Sequence, residues 1–152
     1  MKKKPTYTNR GKRKAINPET FTIKVGIYYM GAENVALYLR SGTGGDFSLA
    51  PRDGSQAFIA IGHYGGNADW PKIVSDIQHE ALEFAMSRLG LRWLQAPSSS
   101  DSHAAYAFHM THEQMDEVAG MTGHFLASCL PDMARHFDAV VAAAKKAKPK
   151  RK

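Results

Sequence analysis

Asp69-Trp70-Pro71-Lys72-Ile73-Val74-Ser75-Asp76-Ile77-Gln78-His79-Glu80-Ala81-Leu82-Glu83-Phe84-Ala85-Met86-Ser87-Arg88-Leu89-Gly90 is the stretch that organises this chain. Asp69 stands where an N-cap carboxylate takes up a free backbone N–H, Pro71 fits the first turn, and Gly90 supplies the stop. Between them Trp70, Ile73, Val74, Ile77, Ala81, Phe84, Ala85 and Leu89 recur at helical spacing, so one helix with a single apolar stripe is expected.

Upstream of that helix the pattern changes to strand. Phe21 to Tyr29 is rich in β-branched and aromatic residues and partly alternates. Val35 to Arg40 suits either a second strand or a short helix. Ser41 to Asp46 reads as a glycine-rich loop, and Ala57 to Gly62 as a short buried strand followed by a turn from His63 to Ala68. Downstream, Leu91 to Leu94 and Ala104 to Met110 flank a polar loop and are placed to pair as strands. Thr111 then opens a second helix, with Gln114 three residues on completing a capping box. Its stripe is Met115, Val118, Ala119, Thr122, Phe125, Leu126 and Cys129. Pro131 is expected to interrupt it, leaving a third helix from Asp132 to Ala144. The order of elements predicts an α+β domain, a small mixed or antiparallel sheet of three to five strands packed with two to three helices.

The net charge of +6 is unevenly spread. Residues 1–14 hold seven Lys and Arg, residues 145–152 hold six more, and neither end holds an acid. Only seven basic residues therefore remain in the body against all 14 acids, so a body of charge −7 lies between ends totalling +13. We expect disordered basic tails over 1–16 and 145–152 around a single domain over 17–144. Such tails suit nucleic acid or an acidic protein, held by salt-sensitive and sequence-blind attraction. Their other reading is a solubility device, or arms that lie on the chain's own acidic body. The lone cysteine, Cys129, fits a reducing compartment, and no apolar run is long enough to span a bilayer, so a cytoplasmic protein without a membrane partner is expected.

One constellation could carry chemistry. His79 and Glu83 are one helical turn apart, as two ligands to one ion would be, and Glu80 stands where a general base would take a proton from metal-bound water. With the strands before it and Asp116-Glu117-Val118-Ala119 after it, this helix resembles the minimal zincin-like proteins of phage and prophage genomes. The resemblance covers roughly residues 55–130 and implies zinc as cofactor, His79 and Glu117 as ligands, and Glu80 as catalytic base, with Glu83 the further ligand if the site is active. Glu83 stands where that family has its second histidine, a substitution zinc chemistry tolerates. Helical geometry gives a competing reading. The stripe centres near Ile77 and Ala81, which puts His79 on the opposite face with Glu83 beside it. Glu113, Glu117 and His124 likewise face away from the second stripe, as on ordinary solvated helices.

Three functions follow from these readings. The first is a phage- or prophage-like accessory protein whose degenerate zincin-like domain acts by binding a host or phage protein. The second is a non-enzymatic nucleic-acid-associated protein held by its tails, and the third an active zinc hydrolase. Ser98 to Ser102 has no nucleophile elbow around it, Gly42 to Asp46 lacks the lysine of a phosphate-binding loop, and His112 is placed as a first-turn helix residue.

Overall fold

The computed structural model describes residues 21–49, 56–63, 69–94, 106–108 and 110–147. The N-terminal basic segment, residues 148–152, the turn after His63, and the Ser98 to Ser102 stretch lie outside the described residues. Strands β1 (Thr22–Met30), β2 (Glu33–Arg40), β3 (Gly45–Ser48) and β4 (Ala57–Gly62) precede helix α1 (Trp70–Arg88). Strands β5 (Arg92–Leu94) and β6 (Tyr106–Phe108) follow, and then helix α2 (His112–Ala147). The fold is α+β, a four-stranded mixed sheet in the order β1-β2-β4-β3 with two helices, and β5 pairs β6 antiparallel as a separate ribbon.

β1 and β2 form an antiparallel hairpin, turning at Gly31 and Ala32 between paired Met30 and Glu33. β4 runs parallel to β2, with Leu37 opposite Ile59 and Leu39 opposite Ile61, and β3 pairs antiparallel on the outer side of β4. Alternation sends Val35, Leu37 and Leu39 of β2 and Ile59 and Ile61 of β4 to one face, where all are fully buried. Both helices pack there. α1 contributes Ile73, Ile77, Ala81 and Phe84, and α2 contributes Val118, Phe125, Cys129, Met133, Phe137 and Val140. The helix starts are fixed locally. The Lys72 backbone N–H donates to the Asp69 carboxylate at 3.0 Å. At α2 the capping box closes in both directions, Gln114 N–H to Thr111 Oγ1 at 3.2 Å and Thr111 N–H to Gln114 Oε1 at 2.9 Å.

Two expectations are corrected. Gly45 to Ser48 is a strand, not the end of a loop. Its four residues carry no useful periodicity, and what makes them a strand is tertiary, since Phe47 lies edge-on to Phe84 at 6.0 Å and Gly45 pairs with Ile61. Pro131 does not divide the second helix, which continues to Ala147, past the expected end at Ala144 and into the basic run. Proline removes an N–H and frees the carbonyl four residues back, here Ala127. Ala127 and Pro131 are both exposed, so that carbonyl is open to solvent, while Cys129 and Met133 on the inner face bury a stripe that is continuous across the proline. Tyr28 ties the same turn to the sheet, donating its hydroxyl to Asp132 Oδ2 at 2.9 Å. That bond, with Arg135 beside it, holds the Asp132 carboxyl below its usual range. Lys145 and Lys146 in the last turn complement the helix dipole.

Candidate functional site

The helix α1 carries the motif residues on two different sides. His79 is 66% exposed in its side chain and faces Glu83 one turn on, Nε2 to Oε1 3.5 Å. Glu80, rotated by roughly 100° along the helix, turns inward and is only 7% exposed. It lies against β3 at a position without a side chain. A Cβ on Gly45 would stand 2.5 Å from Glu80 Cγ and Oε1, closer than non-bonded atoms approach. Burial pushes the Glu80 carboxyl above the ordinary range, His79 opposes this, and Glu83, Asp46 and Asp76 add to it.

The paired acids expected on the second helix lie in its first turns. Asp116 faces His112 at 3.7 Å, and Glu117 is exposed. Among the described residues no group of three or more His, Cys, Asp or Glu is gathered so that it could hold a metal ion. Glu80 therefore packs against the sheet edge while its neighbour His79 points to solvent. Two other nucleophile or ligand candidates are internal. Cys129 is fully buried, and burial pushes its thiol up to about 12, so it is no thiolate near neutrality. His63 is fully buried between Phe21 and Phe137, at ring separations of 6.0 and 5.2 Å, and burial lowers its pKa.

The buried carboxyl gives a direct test. Its folded-state pKa lies above the ordinary 4.5, so the folded protein holds this proton more tightly than the unfolded chain. Stability contributed here is lost as pH rises from 4.5 through the raised value. Glu80→Gln keeps the shape and removes the ionisation. The variant is expected to be more stable than the parent at pH 8, by an amount on the order of 1 kcal/mol, with the difference shrinking toward pH 4.5 in urea titrations. Parallel pH profiles would mean that Glu80 ionises as freely folded as unfolded.

A second feature lies on the opposite side of the sheet and was not legible in the sequence. The outward face of β1, β2 and β4 carries Tyr38 and Phe58, whose rings meet at 84° with centroids 6.2 Å apart. They form the corner of an open hollow of about 350 Å³ lined also by Thr22, Arg40, Asp46 and Ala60. Ala60 is the small residue among them. Arg40 Nη2 reaches Asp46 Oδ2 at 3.4 Å, and elsewhere on this face Lys24 Nζ reaches Gln56 Oε1 at the same distance. Ile27 and Tyr29 continue this face outward along β1, 49% and 71% exposed. Phe58 sits in a run that is apolar on both sides, so only the β2–β4 register reveals that it joins Tyr38 on the outer surface. No family model matches the chain, and no curated protein or solved structure is similar to it at a significant level.

Proposed function

We propose that this chain is a binding protein, an accessory protein of the phage or prophage type whose zincin-resembling helix is a scaffold, and that a polyanion is what its basic ends engage. The observation that supports the scaffold role is the divergence of His79 and Glu80, one pairing with Glu83 at the surface and the other packed on Gly45. A general base must reach the water on the ion its neighbouring ligand holds, whereas Glu80 packs against the sheet edge and His79 lies at the surface beside Glu83. The polyanion rests on charge, with 13 basic residues concentrated at the ends and 14 acids in between.

Elemental analysis of tag-free full-length protein, beside His79→Ala, tests the scaffold role. The expected result is zinc well below one equivalent in both proteins, with equal thermal stability. About one zinc per chain, lost in the variant, would overturn it. The chain would then be a zinc hydrolase with His79, Glu83 and Glu117 as ligands and Glu80 as base.

A further inference from the structure

We infer that the outer face of the four-stranded sheet is a single-stranded nucleic-acid site, on which an unpaired base stacks in the corner made by Tyr38 and Phe58. This rests on the polyanion reading above and adds a second contact to it, of a different physical kind. The basic ends attract phosphate and do not read bases, whereas the sheet face offers what a base requires.

Three observations favour this occupant. The first is shape. Two half-buried aromatic rings at 84° line the hollow together with Ala60. A planar ring can lie flat there, and the hollow of about 350 Å³ falls in the range of small-ligand sites. The second is charge. The acids of the body are concentrated on the helices, among them Asp76, Glu83, Glu113, Asp116 and Glu117, and Glu33 of β2 turns inward to Arg88 at 3.1 Å. The outer sheet face carries Lys24 and Arg40 and, among the described residues, the single acid Asp46. A phosphate chain crossing the acidic body thus finds its favourable path here. The third is chemistry. Arg40 and Asp46 sit side by side at the hollow, a donor for phosphate or a ring acceptor and an acceptor for an exocyclic amine. Base-paired strands bury their faces in the duplex stack, so the corner selects unpaired ones.

The experiment uses full-length protein and fluorescein-labelled oligothymidylate, an abasic strand of the same length, and a duplex, read by fluorescence anisotropy. Phe58→Leu and Tyr38→Leu keep the apolar volume and remove the stacking face, with melting curves confirming that both remain folded. Loss of one stacked base is expected to weaken oligothymidylate binding about tenfold in each variant. The parent should prefer oligothymidylate to the abasic strand by a similar factor, and the variants should not. Equal affinity of the parent for the normal and abasic strands overturns the site while leaving tail-driven polyanion binding intact. So does binding that is unchanged in both variants, or a preference for duplex, which has the higher charge density. No binding to any of the three overturns both the site and the polyanion reading.

Discussion

Gly62→Ala is expected to destabilise the domain by about 2–3 kcal/mol, seen as a lowered denaturation midpoint with an unchanged denaturant slope. The last residue of β4 runs under the turn that leads into β3. A Cβ on Gly62 would stand 2.7 Å from the carbonyl carbon of Thr43, 2.8 Å from Gly42 O and 2.9 Å from Gly44 O. All three are backbone atoms, so no side chain can swing aside. The turn is also pinned, because the Gly62 N–H donates to Gly44 O at 2.7 Å and the His63 N–H donates to Arg40 O at 2.8 Å. Relieving the clash means breaking one of these bonds or shifting β3 off β4. A change within 0.5 kcal/mol, the scatter of neutral surface substitutions, would show that the turn is far softer than this packing implies.

Phe84→Ala carries the larger cost, about 3–5 kcal/mol, a large part of the 5–15 kcal/mol that typically holds a domain of this size. Phe84 is fully buried at the centre of the α1 stripe, and its ring is the edge-on partner of Phe47. Phe47 is the apolar anchor of β3, so the substitution leaves a cavity and loosens the sheet edge together. Hydrogen exchange of the β3 amides should quicken more than that of β1, which is tied to α2 through Tyr28 and Phe125. Uniform acceleration of both strands would instead mean a single cooperative unit with no local weakness at β3.

The parts of this molecule legible in the sequence are those decided by near neighbours. Asp69, and Thr111 with Gln114, announce their helix starts because the capping group and the N–H it serves lie three residues apart. The solvent-facing placement of His79 beside Glu83 follows from helical period alone. What was hidden depends on distant chain. β3 exists through Phe84 and β4, the continuity of α2 across Pro131 depends on a stripe buried by the sheet, and Tyr38 meets Phe58 only through a parallel register. Glu80 is the sharpest case. The helical wheel places it at the margin of the stripe, and whether it opens to water or packs inward is decided by the missing side chain at Gly45.

That contact ties two positions far apart in the chain into one inherited unit. A side chain at Gly45 would displace the Glu80 carboxyl from its place on β3, and a shorter residue at position 80 would make room for it. Shape alone therefore favours a glutamate at position 80, whatever stands at the exposed His79 beside it. Glu80 so placed is a lock between helix and sheet edge, and holding it there needs no chemistry.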